Sequence, residues 1–275
     1  RKTINKMVLE SILSSRDIEK RPIEMLIYSI VVASISIWSA YIIFPSSASI
    51  VFLFLISIAL VPVIYGTIKD DELKEEKTDR SISLGFFERH GTVLKIYAYF
   101  FLGIIIATSF WYMFIPEQQA QVMFSLEIET TKALGAFSSD YGFSDILINN
   151  LKVMVLSFFV SFIFGTGAIF ILSWNAAVVG IFIGNIGKEL IQIHNSKIIA
   201  LIIALIQGLS GIALHGIPEI AAYCIAGIAG AILSIGMTKG HKTNIILNDS
   251  TKLFILAAAI IMAAAFVEVY ITPVL

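Results

Sequence analysis

Apolar runs of about 20 residues recur along this chain, and they limit its possible folds more than any other feature. A helix needs roughly 20 mostly apolar residues, about 17–25, to cross the hydrocarbon of a bilayer. Seven stretches meet that requirement: 25–44, 50–68, 95–115, 149–172, 198–214, 218–236 and 252–271. A further stretch, 174–187, is shorter, opens at Trp174-Asn175 and carries Gly180, Gly184 and Gly187. That pattern predicts a re-entrant half-helix. Hydrocarbon offers no water to an unpaired backbone group, so each span must satisfy its own hydrogen bonds as a helix. The expected fold is therefore an all-α, polytopic transmembrane helical bundle, with about seven spans plus one short re-entrant helix. Composition agrees, since 57% of the 275 residues are hydrophobic and 14% charged, against about 25% charged in soluble domains.

Charge placement orients the bundle. With a cytoplasmic N-terminus and 174–187 re-entrant, 17 of the 19 Lys and Arg residues fall inside, leaving Lys132 and Lys152 outside. If 174–187 is counted as an additional span, the split drops to 12 against 7. Basic residues favour the cytoplasmic side, so the expectation is a multi-pass protein of the cell membrane with its N-terminus cytoplasmic. The net charge of −1 excludes a strongly basic, nucleic-acid-seeking surface. The expected partners are the lipid bilayer and proteins of a membrane complex, with a homo-oligomer open and no nucleic acid. Cys224 is the single cysteine and reads as a small apolar residue at a helix contact.

Four segments follow from these patterns. Residues 1–24 place Ile4, Met7, Val8 and Ile12 at helical spacing among basic residues, as in an amphipathic helix on the inner leaflet. Residues 25–68 form a two-helix membrane hairpin rich in Ile, Val and Phe, and 69–94 a charged cytoplasmic linker. Residues 95–275 are the membrane core, with 116–148 as its main external loop. Eleven of the 18 glycines lie within 165–236. Gly180 with Gly184, and Gly227 with Gly230, allow close backbone approach between membrane helices.

The chemistry concentrates at Leu214-His215-Gly216-Ile217-Pro218-Glu219-Ile220. Ionisable residues at membrane depth are costly and usually mark a site. Gly216 and Pro218 predict a break in the helix, with His215 and Glu219 beside it. Glu268, near the end of the last span, falls at the same membrane level, so the three predict one polar intramembrane cluster. It reads as a hydrogen-bonded structural network, a proton or ion site, or a metal site with one His and two carboxylates. Asn149 and Asn150 open one span and Asn175 opens the short helix, positions that suit N-caps. No zinc-protease motif, nucleophile elbow or phosphate loop is present, so no catalytic residue, metal or cofactor is assigned. The alternative is an intramembrane hydrolase using His215, Glu219 and Glu268.

Taken together, Ile148-Asn149-Asn150, Trp174-Asn175 before a glycine-rich helix, Leu214-His215-Gly216-Ile217-Pro218-Glu219, and Glu268 with Thr272-Pro273 resemble the stage II sporulation protein M family. The resemblance covers roughly 95–275 and is strongest over 149–275, so the first two spans mark a longer variant. It implies a non-enzymatic integral membrane subunit. In endospore formers such a subunit assembles with a cell-wall hydrolase and another membrane partner during engulfment. For this chain the resemblance favours a membrane-complex scaffold or a channel- or transport-like subunit over an enzyme.

Overall fold

The computed structural model describes residues 21–78, 86–137, 142–194, 196–239 and 243–272. Most of the expected amphipathic segment 1–24, and Pro273, lie outside them. All regular structure among the described residues is helical. In chain order the helices are α1 Ile23–Ile43, α2 Ala48–Thr78, α3 Phe86–Phe114, α4 Glu117–Met123, α5 Ser125–Phe137, α6 Phe143–Phe164, α7 Ala168–Ile193, α8 Lys197–Lys239 and α9 Thr243–Tyr270, with a 3-10 turn at Pro45–Ser47 between α1 and α2. Seven of them (α1, α2, α3, α6, α7, α8 and α9) contain segments long and apolar enough to cross a membrane. The all-α polytopic bundle is therefore what this sequence builds.

Two expected boundaries differ. The stretch 174–187 is not a re-entrant half-helix; it is the middle of α7, a helix of 26 residues. The true boundary is Gly165, which stands at φ +78° just after α6. A left-handed residue at a helix end favours glycine, because a Cβ is strained there. The 149–172 run is thus the end of one span, a turn at 165–167, and the start of the next. Nor is there a break at Gly216-Pro218. The runs 198–214 and 218–236 are one continuous 43-residue helix, α8, with Pro218 inside it. Proline lacks an N–H, so the Leu214 carbonyl has no i+4 donor. Every other backbone group keeps its partner only if the helix continues, and in an apolar setting that outweighs one lost bond.

Small residues set the spacing of the helices. A Cβ on Gly180 of α7 would lie 1.8 Å from Thr108 Oγ1 of α3, and one on Gly184 would lie 2.6 Å from the Tyr112 ring. A Cβ on Gly227 of α8 would sit 2.7 Å from the Ala168 Cβ of α7, and one on Gly230 2.2 Å from the Phe158 carbonyl of α6. All four glycines therefore pack helices within one chain. The N-terminal hairpin belongs to the same apolar core as the later helices. Trp111 of α3 donates its Nε1–H to Ser34 Oγ of α1 at 2.9 Å and stands edge-on to Trp38 with centroids 5.3 Å apart.

Within the expected external segment 116–148, the described residues form α4, α5 and the start of α6, and Ala120, Met123, Phe124 and Ile128 are buried. The Phe124 ring meets Phe52 of α2 at 5.7 Å and Tyr112 of α3 at 6.1 Å.

Helix α8 is covered unevenly. At about 1.5 Å per residue it is about 64 Å long. Ala222–Ile232 is buried at every position, because α6, α7 and α9 all pack on that half. The half before Gly216 buries Ala200, Ala204 and Gly208, the last against Ile183 of α7. Its other side exposes Ile198, Ile199, Ile202, Ile206 and Leu214.

Candidate functional site

Continuity of α8 stacks His215, Glu219 and Tyr223 four residues apart on one face, where side chains of adjacent turns meet. Asn150 of α6 is buried against that face. Its Nδ2 donates to Glu219 Oε1, and its Oδ1 accepts the Tyr223 hydroxyl at 2.9 Å. Both ends of the amide are used, which fixes its orientation. Glu268 of α9 lies close to Glu219. Residues of three helices, α6, α8 and α9, thus meet around Glu219.

His215 lies one turn away and has a different partner. Its Nδ1 is 3.4 Å from Thr272 Oγ1. The Thr272 hydroxyl also lies 3.2 Å from the Val267 carbonyl, to which it can donate. The cluster is thus a chain of contacts, with carboxyls at one level and His215-Thr272 at the next. Among the described residues no three His, Cys, Asp or Glu side chains come close enough together to hold a metal ion.

The asparagines take other roles than caps. Helix α6 begins at Phe143, and Asp145 Oδ2 accepts the Gly142 N–H at 3.1 Å at its start. Asn149 and Asn150 therefore lie in the second turn and beyond; Asn149 is exposed while Asn150 joins the cluster. Asn175 lies well inside α7 and donates to the Ile171 carbonyl of its own helix at 2.8 Å. Gly216 is not at a turn: a Cβ there would meet only Ile212 of the same helix, at 3.3 Å. Tyr223 went unread in the sequence, although its four-residue step from Glu219 was the available signal.

A second polar layer lies under α4 and α5. Lys188 of α7 pairs with Glu117 at 2.5 Å and stands 3.6 Å over the Tyr112 ring. Tyr112 in turn donates to Asn185 Oδ1 at 2.8 Å. The Lys188 hydrogen bond holds the Glu117 carboxyl below the usual glutamate range. Glu127 of α5 is fully buried. Its Oε2 accepts the Ser49 hydroxyl at 2.6 Å, and its Oε1 has no partner. Burial pushes this carboxyl up to about 7, against the pull of the Ser49 bond. The Lys188–Glu117 pair also puts Lys188 at the same end of the bundle as α4, whereas the re-entrant arrangement had separated them.

Comparison with known proteins adds a family. The model of the family described as stage II sporulation protein M matches residues 29–273. The match begins inside α1, so it takes in the N-terminal hairpin as well as the region 95–275 that carries the sequence resemblance. An uncharacterized protein of Methanocaldococcus jannaschii is 36% identical over 140 residues, which cover 48% of this chain and 72% of that protein. No solved structure matches the chain.

Proposed function

Because the chain belongs to the stage II sporulation protein M family, we propose that it is a non-catalytic integral subunit of a cell-membrane complex whose Glu219–Glu268 pair takes up and releases a proton. The observation that supports this reading is the carboxyl pair itself, gripped by Asn150 and Tyr223 between α6, α8 and α9. Adding or removing a proton changes the charge held between three helices, and such a change biases how they pack. His215 and Thr272 sit between that pair and the end of α9, in the position of a relay to the membrane surface.

The N-terminus is cytoplasmic in this reading. The helix boundaries move Lys188 and Lys197 to the outer side, with Lys132 and Lys152. Fifteen of the 19 basic residues then remain inside, and the orientation is the one the charges favour.

The test is proton flux in proteoliposomes loaded with a pH-sensitive dye. The intact protein should relax an imposed pH gradient, and Glu219→Gln should abolish relaxation while inserting and folding normally, since an amide keeps the Asn150 bond. Equal flux from both proteins, or none above empty liposomes from either, would leave the pair a structural clasp.

A further inference from the structure

We propose that α4 and α5 form a pH-operated latch, closed onto α2 while Glu127 carries a proton and released into water when it ionises. Glu127 is 0% exposed, although α5 is not among the helices long and apolar enough to cross a membrane. Its Oε2 takes the hydroxyl of Ser49, in the first turn of α2, and its Oε1 has no partner among the described residues. The same hydroxyl accepts the Leu126 N–H at 3.2 Å, so one serine holds the start of α5 through two bonds. Beside it the contact is apolar. Met123, Phe124 and Ile128 are buried, and the Phe124 ring stands edge-on to Phe52 and Tyr112. A neutral carboxyl suits such a place. A carboxylate there, with one oxygen unpaired, costs far more than it does in water.

No neighbouring charge relieves that cost. Residues 49–64 of α2 include no ionisable side chain. Helix α3 brings Tyr112, whose hydroxyl is held by Asn185, and α4 brings Glu117, tied to Lys188. Helix α7 brings Lys188 and Glu189, and α5 itself Glu129 and Lys132. None of them moves the Glu127 carboxyl: burial raises it, against the pull of the Ser49 hydroxyl and of its own backbone N–H. Ionisation is therefore relieved only by carrying the carboxyl to water. The spans α2 and α3 cannot do so without taking backbone and apolar surface out of place in the bilayer. Helices α4 and α5, of 7 and 13 residues, are too short to span and can open as a local unit. Their release uncovers Phe52 and Tyr112 and parts Glu117 from Lys188. The latch uses no residue of the Glu219 cluster, so it stands independently of the proton reading.

Hydrogen exchange on the full chain in lipid nanodiscs tests the latch, each rate being divided by the intrinsic chemical rate at its pH. The amides of 124–131 should exchange ahead of those of α3 and α7 at every pH, because the latch opens without the bundle. The closed form binds the Glu127 proton more tightly, so closure is strongest below pH 4.5, weakens as pH rises toward 7 and is level above. With the carboxyl at about 7 when closed and at an ordinary 4.5 when released, protection of 124–131 should fall about 70-fold between pH 5 and 8. Glu127→Gln cannot ionise and should keep its protection constant over that range. If the variant does not insert, the native profile from pH 4 to 9 decides, since it must level off at both ends. A flat native profile, an equal loss in Glu127→Gln, or amides of 124–131 as protected as those of α3 and α7 would overturn the proposal.

Discussion

Glu127 ties the stability of this fold to pH in the direction opposite to most carboxylates. The side chain is fully buried, with one donor on Oε2 and none on Oε1. Burial raises its pKa from an ordinary 4.5 to about 7, so the folded protein holds this proton more tightly than the unfolded chain. Stability therefore stands highest below pH 4.5, falls as pH rises toward 7, and is flat above. At 1.36 kcal/mol per pH unit, the interval corresponds to about 3 kcal/mol. Folded proteins are stable by only about 5–15 kcal/mol in total, so a change of that size is readily measured. The perturbation is Glu127→Gln, which keeps the shape and the acceptor for Ser49 but cannot ionise. The assay is reversible unfolding by steric trapping in bicelles from pH 5 to 8, run on both proteins. Absolute stabilities will differ, because the amide adds unpaired N–H groups; the informative quantity is the difference in pH slope. The native protein should lose about 2.5 kcal/mol more than the variant between pH 5 and 8. Every other titrating group is common to both and cancels. Identical slopes, or a native protein that gains stability relative to the variant as pH rises, would refute the reasoning. Ser49→Ala sharpens the test: it removes the side-chain bond that favours the ionised form, so the pH dependence should deepen.

Other consequences follow from packing and topology. Gly180→Ala drives a methyl into Thr108, whose hydroxyl is already held by the Ile104 carbonyl at 2.7 Å, and should cost about 1–3 kcal/mol of overpacking in the same unfolding assay. Gly91→Ala meets nothing within 4 Å and should be neutral or stabilising by up to about 1 kcal/mol, through helix propensity alone; equal effects at the two positions would contradict the α3–α7 contact. Trp111→Phe removes the bond to Ser34 and should destabilise by about 1 kcal/mol, with little effect if Ser34 is removed first. For sidedness, in a protein lacking Cys224, Lys197→Cys should react with an impermeant thiol reagent from outside and Arg21→Cys only after the membrane is opened. The reverse pattern would overturn the orientation.

The number of spans was legible in the sequence, but two of their boundaries were not, and both misreadings have one cause. Proline at 218 and the polar pair Trp174-Asn175 mark helix ends in water, where solvent takes over the freed backbone groups. In hydrocarbon no such substitute exists, so α8 runs on through Pro218, and Asn175 turns its amide onto its own helix at Ile171. What does end a helix here is a conformation that a side chain resists, the positive φ of Gly165. The flanking Gly165-Thr166-Gly167 was visible but lay inside a long apolar run, so hydropathy masked it. The helices of 116–148 were hidden by the converse effect. Their acidic residues suggest solvent, yet Ala120, Met123, Phe124 and Ile128 keep an i, i+3, i+4, i+8 rhythm and are all buried.

The same continuity decides what the cluster is. Residues His215 and Glu219 were legible because charge is rare in such runs, and Glu268 because it recurs at the matching depth. A broken helix would have given each a separate backbone and no common face. An unbroken α8 adds Tyr223 to that face and points all three at α6 and α9. There Asn150 stops being a cap and becomes the residue that orients a carboxyl. Pro218 then does the opposite of terminating the helix: it withdraws one N–H from the Leu214 carbonyl beside the cluster. One backbone acceptor is thereby left without its helical donor about one turn before Glu219, on the helix that carries both His215 and Glu219.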